Sequence, residues 1–286
     1  MQCNLCSSTQ IFSYAAFPEY ALMKCRSCGL LFTDQGSVMQ EDLYSQDYFD
    51  GVHAHFFADC RAGYEQYLGS SEKLQNFRHV LEKIREIKPQ GKFLDIGCAT
   101  GVFLDMAKKD GYDVVGVDVS AFACEYAQEH FGIPTFCGKI EDLPLKEKSF
   151  DVITMWDVLE HVPDPNAFLK NVWKLLKDDG ILFLLTINDA SLMGWIANGM
   201  YRLSLKQVNY FTKVIHPIHH NFHFAENHLL QYLGNNGFSV VWKEKREMPV
   251  SNIEGGPVLK TMARVLYLFS RATNTEHEIL VLGRKT

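Results

Sequence analysis

Four cysteines near the start of the chain are spaced as two C-x-x-C pairs. Cys3 and Cys6 form the first pair, and Cys25 and Cys28 form the second. Two such pairs joined by a connection of hairpin length are typical of a zinc ribbon. Four thiolates complete a tetrahedral Zn²⁺ site and leave no position for water or substrate. The spacing therefore predicts a structural zinc ion that takes no part in catalysis.

Four histidines stand close together in HPIHHNFHF, residues 216–224. In a continuous helix they would share one face, as metal ligands often do, but Pro217 argues against such a helix. No carboxylate lies within the cluster. Because imidazole titrates near neutral pH, the cluster favours proton handling over metal binding. The alternative is a set of hydrogen-bonded histidines that only shapes a loop.

A glycine-bearing turn, Gly97 to Gly101, occurs in the stretch FLDIGCATGVFL. Such a turn between a strand and a helix lets the backbone approach a ligand at the carboxyl edge of a sheet. Its spacing departs from G-x-G-x-x-G, which disfavours nicotinamide or flavin cofactors. Asp118 ends the next predicted strand about twenty residues downstream, where a carboxylate can accept both hydroxyls of a ribose. The two features imply a cofactor that contains a nucleoside.

Short apolar runs alternate with helical periods in the residues around this turn. Alternation of this kind indicates an α/β fold with a parallel sheet and crossover helices. We predict strands at FLDI, VVGVD, DVITMW and ILFLLTI, and helices near 102–110, 120–130 and 165–177.

The order of motifs FLDIGCATG, VVGVDVS, GKIEDLP, FDVITMWDVLEHV and LLKDDGILFL resembles the class I S-adenosylmethionine-dependent methyltransferases. The resemblance covers about residues 91–190. It implies a doubly wound, Rossmann-like α/β domain with a seven-stranded, mostly parallel sheet. It also implies that the last two strands lie at FSVVWKEK and EILVLG.

The same resemblance implies S-adenosylmethionine as the cofactor. Asp95 and the glycine turn would face its methionine end, Asp118 its ribose, and Ile140 and Glu141 its adenine. Two positions depart from the family pattern: Ala99 replaces a frequent glycine, and Lys139 replaces a frequent aspartate at the adenine. The cofactor-binding residues that we predict are Asp95, Gly97, Cys98, Ala99, Gly101, Asp118, Val119, Ile140, Glu141, Trp156 and Asp157.

Two histidine positions also match the family. His161 belongs to an E-H-V pattern, and we expect it to lock the loop after its strand by hydrogen bonds. The histidine-rich stretch resembles an H-x-x-x-F segment that precedes the penultimate helix, which aligns His220 and Phe224 with its defining positions. We therefore predict that His220 takes the proton from the methyl acceptor, with His219 or His223 as alternatives.

A zinc ribbon joined to this core resembles a group of bacterial enzymes that modify small molecules, often sugars or precursors of surface polymers and secondary metabolites. We therefore predict methyl transfer to a hydroxyl or amine of a small metabolite. One alternative is an RNA methyltransferase that uses the ribbon to bind RNA, although a net charge of -6 and a pI of about 6.0 argue against nucleic acid. Another is a scaffold that binds the cofactor without catalysis.

These predictions divide the chain into a zinc ribbon at 1–35, a helical linker at 36–90 and a methyltransferase domain at 91–286. The linker holds Tyr44, Tyr48 and Phe49, which either cover the cofactor as a flap or pack against the sheet. Substrate-side insertions are predicted at about 191–224 and 250–275. No bilayer-length apolar run or signal-peptide pattern is present, so we expect a cytoplasmic protein.

The second insertion contains a basic amphipathic segment, residues 257–271, with Lys260, Arg264 and Arg271 among apolar residues. Such a helix can touch a membrane surface. The alternatives are burial in a homodimer interface or against the sheet. We favour burial over membrane contact.

Overall fold

The computed structural model describes residues 1–34, 71–204, 207, 209–250, 253 and 256–286. The three aromatic residues of the predicted flap, Tyr44, Tyr48 and Phe49, lie outside these residues, as does much of the predicted linker. Within the described part of the chain, no helix is long and apolar enough to cross a membrane.

The N-terminal segment forms three antiparallel strands, β1 (Ile11–Ala16), β2 (Ala21–Cys25) and β3 (Leu31–Asp34). A two-residue strand from far along the chain, Phe222–His223, pairs with β3 and completes a four-stranded sheet. Residues of the predicted substrate-side insertion therefore extend the sheet of the N-terminal hairpin. The two segments are joined by backbone hydrogen bonds and not only by side-chain packing.

The remaining elements alternate along the chain as the sequence predicts. The helices are α1 (Ser71–Ile87), α2 (Val102–Lys109), α3 (Ala121–Phe131), α4 (Pro165–Leu175), α5 (Leu192–Leu203), α6 (Tyr210–Ile215), α7 (Glu226–Asn235) and α8 (Pro257–Thr273). The strands are β4 (Lys92–Ile96), β5 (Asp113–Asp118), β6 (Thr135–Cys137), β7 (Phe150–Trp156), β8 (Leu176–Ile187), β9 (Phe222–His223), β10 (Phe238–Arg246) and β11 (Glu278–Lys285).

Seven of these strands form one sheet in the order β10-β11-β8-β7-β4-β5-β6. The five strands from β4 to β8 run parallel to one another, whereas β11 runs antiparallel to β8 and β10. This sheet confirms the predicted seven-stranded, mostly parallel architecture. The last two strands lie where the resemblance implied, at FSVVWKEK and EILVLG.

Helices cover both faces of the sheet, so the domain is doubly wound. On one face, Phe77 of α1 and Phe103 of α2 pack in a core with Phe93 of β4. On the other face, Leu169 of α4 and Leu229 of α7 belong to a second core that includes the central strands. Burial on both faces explains why the parallel strands are continuous apolar runs.

The two predicted insertions form helices outside this sheet. Residues 191–224 contain α5, α6 and β9, and residues 250–275 contain α8. Along α8, six large apolar side chains are exposed: Val258, Leu259, Met262, Val265, Leu268 and Phe269. What covers this face, a second copy of the chain or a membrane, stays a prediction.

Candidate active site

The turn between β4 and α2 adopts an unusual backbone conformation that its residues explain. Gly97, Ala99 and Gly101 have φ angles of 73°, 47° and 83°, in the left-handed region. Glycine adopts this region without strain, so the frequent glycine at the position of Ala99 in the family has a physical reason. At Gly97 a side chain is also excluded, because a Cβ atom would lie 2.6 Å from Cγ2 of Val158.

Asp118 holds this turn from the end of the neighbouring strand β5. Its Oδ2 accepts a hydrogen bond of 2.8 Å from the Ala99 backbone N–H, and its Oδ1 accepts one of 2.9 Å from the Ser120 N–H. The side chain is only 8% exposed. Burial raises the pKa of Asp118, and these backbone donors oppose the rise. Asp118, which we predict to contact the ribose, therefore also orders the turn that is predicted to face the cofactor.

Asp95 lies one strand away, near the end of β4, and is buried. Its Oδ1 accepts a hydrogen bond of 2.6 Å from the Thr154 hydroxyl. Burial raises the pKa of Asp95 to about 8, while the Thr154 hydroxyl opposes the rise and the charge of Asp118 adds to it. An Asp95 carboxyl group in this setting is largely protonated at neutral pH unless a cation approaches it.

The residues predicted at the adenine lie at the carboxyl ends of β5 and β6. Ile140 is buried and Glu141 is exposed in a short 3-10 helix, Ile140–Asp142. Val119, directly after β5, is also exposed. The Gly138 N–H donates to the Asp118 carbonyl, which ties this segment to β5. These positions and the glycine turn therefore line one edge of the sheet, although their contact with adenine stays a prediction.

Trp156 and Asp157, at the end of β7, differ in their surroundings. The Trp156 ring packs against the rings of Phe77, Phe103 and Phe183 on one face of the sheet. Asp157 is exposed and has a φ angle of 52°. Although solvent reaches part of this residue, desolvation by the surrounding protein raises the pKa of Asp157 to about 7. The charge of Glu278 adds to this rise, and Lys73 and Arg246 oppose it. Of these two residues, Asp157 is therefore the more accessible to a ligand.

The histidine cluster is not helical, as Pro217 indicated. Helix α6 ends at Ile215, a turn follows, and the chain then enters β9. The ring of His220 lies 4.7 Å from that of His161 and 4.8 Å from that of His219, between ring centres. The cluster is therefore assembled from two segments, the loop after β7 and the loop before β9.

Burial makes the histidines of this cluster weak bases. Burial lowers the pKa of His161 to about 3. The His219 ring adds to this decrease, and the hydrogen bond to the His219 carbonyl opposes it. Burial alone lowers the pKa of His219 to about 4. Burial also lowers the pKa of His220 and His223 well below the ordinary value. These imidazoles are neutral at physiological pH. His219 is half-buried, whereas His220 and His223 are buried.

Hydrogen bonds hold the loop after β7 against the loop before β9. Nδ1 of His161 donates to the His219 carbonyl at 3.0 Å, the loop-locking bond that we expected of His161. The backbone N–H groups of Asn221 and Phe222 donate to the Glu160 carbonyl at 2.7 and 3.1 Å. The two loops are thus fixed relative to each other by backbone and side-chain contacts.

Two carboxylates of this region were not among the predicted site residues. Asp189 accepts a hydrogen bond of 2.7 Å from Nε2 of His216, and both side chains are largely buried. Glu160 is 1% exposed, and in the described residues neither of its carboxylate oxygens has a partner at full hydrogen-bond geometry, although the Thr186 hydroxyl lies beside them. The E-H-V pattern contains Glu160, but only the fold shows that its carboxylate lies beside the distant histidines.

The four N-terminal cysteines converge on one point. Their Sγ atoms all lie within 4.8 Å of one another, with Cys3 to Cys28 and Cys6 to Cys25 each at 3.6 Å. Zn–S bonds of about 2.3 Å place sulfurs about 3.8 Å apart in a tetrahedron, so the thiolates fit a zinc ion. Gly29 follows with a φ angle of 82°, and its N–H donates to the Cys25 carbonyl.

Two cavities of very different size lie near the carboxyl end of β8. One, of about 390 Å³, is lined by residues that include Trp195 of α5, Leu230 of α7 and Lys245 of β10. The other, of about 10 Å³, is lined by residues that include Glu160 and His220. The first is large enough for a small organic molecule, and the second for a single water molecule or ion.

Comparison with known protein families supports the interpretation of the sheet. A family profile described as a methyltransferase domain matches residues 69–243. The ubiquinone biosynthesis O-methyltransferase of Coxiella burnetii strain Dugway 5J108-111 is 33% identical over 157 residues, which cover 49% of this chain and 66% of that protein. Its counterpart in strain RSA 331 is 37% identical over 122 residues, which cover 38% and 52%. The chain thus spans about half to two thirds of the length of these relatives.

Solved structures share the fold at low sequence identity. The geranyl diphosphate C-methyltransferase from Streptomyces coelicolor A3(2), in complex with S-adenosyl-L-homocysteine, has a TM-score of 0.55 and 12% identity, with 75% of this chain and 76% of that chain covered. An S-adenosylmethionine-dependent methyltransferase from Mesorhizobium loti has a TM-score of 0.52 and 17% identity, with 76% and 100% covered.

Proposed function

The chain belongs to the methyltransferase-domain family, and on that premise we propose that this S-adenosylmethionine-dependent methyltransferase acts on a hydroxyl group of a small molecule. The observation that carries the choice of oxygen is the similarity to ubiquinone biosynthesis O-methyltransferases, at 33% and 37% identity. The names of these relatives do not mention sugars, so we propose a small-molecule hydroxyl and not a sugar hydroxyl in particular. An amine acceptor is the second outcome that the experiment below distinguishes.

The cofactor supplies a methyl group on a positively charged sulfur that is already electrophilic. With the cofactor bound, the acceptor oxygen would bond to the methyl carbon as the carbon–sulfur bond breaks, its electron pair would stay on sulfur, and the hydroxyl proton would pass to a base or to water. The protein has to align the two atoms and exclude water. We propose that the glycine turn and Asp118 hold the cofactor, because Asp118 orders the turn through Ala99.

The acceptor has a candidate pocket near the first insertion. The cavity of about 390 Å³ is bounded by Trp195 on α5, an element that the sequence assigned to substrate selection. Asn188 and Glu226 supply polar groups to the same wall. An apolar cavity with a few polar groups suits a small organic acceptor.

The group that takes the acceptor proton stays a prediction. His220 was the first choice from sequence, with His219 and His223 as alternatives. His220 and His223 are buried, and the cavity beside them has a volume of only about 10 Å³, which is too small for an acceptor. Of the three, His219 therefore has the best access, since it is half-buried.

We also propose that Cys3, Cys6, Cys25 and Cys28 hold one structural zinc ion. The sulfur–sulfur distances of 3.6 Å and the four-thiolate donor set support this assignment. When bound, the ion supplies cross-links within the N-terminal hairpin. It has no open coordination position for chemistry.

Methyl-group labelling tests the proposed acceptor. The protein would be incubated with S-adenosylmethionine that carries a tritiated methyl group, together with separated small-molecule, RNA and protein fractions of a bacterial extract. We expect label in a small molecule, bound through an oxygen as shown by mass spectrometry of the product, and none with an Asp118→Ala variant. Label in RNA alone would favour the RNA methyltransferase alternative. Cofactor binding without label in any fraction would favour the scaffold.

A further inference from the structure

We propose that Glu160, His161 and His220 bind one divalent transition-metal ion at a site separate from the four cysteines. One carboxylate oxygen and one ring nitrogen from each histidine lie within 4.8 Å of one another. Metal bonds of about 2.0–2.2 Å place ligand atoms about 3.4 Å apart in a tetrahedron, so small side-chain rotations complete the site. The ion would join the loop after β7 to the loop before β9.

The Glu160 carboxylate is the main reason for this assignment. It is 1% exposed, and within the described part of the chain neither oxygen has a partner at full hydrogen-bond geometry. The Thr186 hydroxyl lies beside the carboxylate but carries no charge to balance it. An ionised carboxylate in the interior is costly unless it is paired with a cation or coordinates a metal. The imidazoles of His161 and His220 each have a ring nitrogen within 4.8 Å of a Glu160 carboxylate oxygen. Imidazole is a metal ligand in its neutral form.

The His161 ring is oriented as metal-bound histidines usually are. A carbonyl oxygen can only accept, so the bond to the His219 carbonyl requires that Nδ1 of His161 carries the proton. In the neutral ring, Nε2 then has the lone pair. A bond from the second ring nitrogen to a carbonyl is the usual partner that orients a histidine ligand and raises its basicity.

The backbone also prepares the site before any ion binds. The Glu160 carbonyl accepts the N–H groups of Asn221 and Phe222, directly after His220. The Asn221 side-chain amide donates to the His161 carbonyl at 2.7 Å. Residues 160–161 and 220–222 are therefore locked to each other, which lowers the entropy that metal binding has to overcome.

The space beside Glu160 and His220 fits an ion and nothing larger. A cavity of about 10 Å³ is lined by Glu160 and His220, with His216, Asp189 and Thr186 also on its wall. A cavity of this volume is of the order that holds one water molecule. A metal ion with a single further ligand would fill it, whereas a methyl acceptor would not.

The donor set defines the class of ion. Two imidazoles and one carboxylate suit Zn²⁺, Mn²⁺, Fe²⁺ or Co²⁺, whereas Ca²⁺ and Mg²⁺ prefer sites made of oxygen ligands. The proposal is also incompatible with His220 as the general base, because a ring nitrogen bound to a metal cannot take a proton. It does not depend on the identity of the methyl acceptor.

Metal stoichiometry tests the site without an activity assay. The full chain would be equilibrated with excess Zn²⁺, freed of unbound metal by gel filtration and analysed by plasma emission spectroscopy. We expect two zinc ions per chain for the natural protein and one for Glu160→Gln and for His220→Ala. His130→Ala is the matched control, because His130 lies in the last turn of α3, outside both proposed metal sites, and contacts Tyr126 by ring stacking and a hydrogen bond to its carbonyl. It should retain two.

The spectrum of the Co²⁺ form distinguishes the two sites. Cobalt in the cysteine site gives sulfur-to-metal charge-transfer absorption, and cobalt in the proposed site gives only weaker ligand-field bands. Titration should show both, with the second at least about 10²-fold weaker in Glu160→Gln while the charge-transfer band is unchanged. One ion per chain in the natural protein, or an unchanged second site in both variants, overturns the proposal. If one variant does not fold, as judged by circular dichroism, the other decides.

Discussion

At the scale of single residues, Asp118 has a structural role in addition to its predicted role in cofactor binding, because it orders the turn between β4 and α2. Both oxygens accept hydrogen bonds from backbone N–H groups, those of Ala99 and Ser120, so the carboxylate orders the turn in addition to its predicted role at the ribose. The predicted contact with the ribose uses the remaining lone pairs of the same oxygens. Losing this side chain removes both functions at once.

We therefore expect Asp118→Ala to weaken binding of S-adenosylmethionine and of S-adenosylhomocysteine by about 2 kcal/mol, roughly 30-fold. Both ligands lose affinity because they carry the same ribose. Isothermal titration calorimetry measures this. Asp113→Ala is the control, since Asp113 is exposed at the opposite end of the same strand. Equal affinity of the Asp118→Ala variant and the natural protein would refute the ribose assignment.

Gly97 is a second single residue on which the shape of the turn depends, because there is no space for a Cβ atom at this position. A methyl group there meets Val158 at 2.6 Å and also stands at a φ angle of 73°. We expect Gly97→Ala to weaken cofactor binding at least 10-fold, because the turn must move away from the loop after β7. Fluorescence or calorimetric titration with S-adenosylhomocysteine measures the loss.

Gly111→Ala separates backbone strain from the steric clash at Gly97. Gly111 also has a positive φ angle, 95°, but no atom lies within 4 Å of the position of its Cβ. This variant should lose some stability and retain normal cofactor affinity. If both variants bind the cofactor normally, the contact with Val158 is not important for the shape of the turn.

At the scale of elements, the N-terminal hairpin is joined to the methyltransferase sheet by several contacts. Cys3, Cys25 and Leu30 belong to the same core as the central strands. The His228 ring in α7 bonds to the Cys28 carbonyl at 2.9 Å, and β9 pairs with β3. A zinc ion in the hairpin would stabilise β3, and through β3 it would also stabilise the paired strand β9, which follows the loop with the histidine cluster.

For the cysteine site we expect that a Cys25→Ser/Cys28→Ser double variant loses one zinc ion per chain and unfolds at a lower temperature. Structural zinc sites contribute to folding free energy directly, and four thiolates bind far more strongly than two. Zinc analysis combined with thermal unfolding measures both effects. Cys124→Ser is the control, because Cys124 is buried outside the four-cysteine group. A double variant that retains its full zinc content would contradict the assignment.

At the scale of the whole molecule, one buried pair ties the end of the central sheet to the first insertion. Asp189 follows β8, and His216 follows α6. Burial acts to raise the pKa of Asp189, but the hydrogen bond and charge of His216 outweigh it, so the pKa is lowered. The insertion is thus anchored through an interaction that needs the ionised carboxylate.

The pH dependence of this pair has a definite sign. Because the folded pKa of Asp189 is lower than the unfolded value of about 3.9, the pair stabilises the fold above that pH and loses its contribution as pH falls through the folded value. Asp189→Asn should lower the free energy of unfolding by about 3 kcal/mol at neutral pH. The difference between the variant and the natural protein should shrink below about pH 4.

Chemical denaturation as a function of pH measures the Asp189→Asn effect. Glu86→Gln is the control, because Glu86 forms an ion pair with Lys83 on the surface of α1. Exposed pairs contribute little to stability, so this variant should unfold as the natural protein does. A difference for Asp189→Asn that stays constant from neutral pH to strong acid would show that the carboxylate charge is not what anchors the insertion.

The amino-acid sequence alone determined those features whose residues lie close together along the chain. The β4 turn, the strand-end Asp118 and the two C-x-x-C pairs are each local patterns. The alternating apolar runs predicted four central strands, and the family resemblance implied the seven-stranded sheet with its last two strands. Local patterns are informative because turn geometry, strand burial and metal-ligand spacing restrict neighbouring residues directly. The predicted contacts with the cofactor still await a bound ligand.

The tertiary structure decided what brings distant residues together. Sequence gave no reason to place Glu160 beside His220, to pair β9 with β3, or to turn the Trp156 ring into the aromatic core. The stretch of four histidines contains no carboxylate, and Glu160, which lies beside His220 in the fold, is 60 residues away along the chain. Such contacts depend on how the sheet stacks its strand ends, because parallel strands bring their carboxyl ends to one edge whatever their separation in sequence.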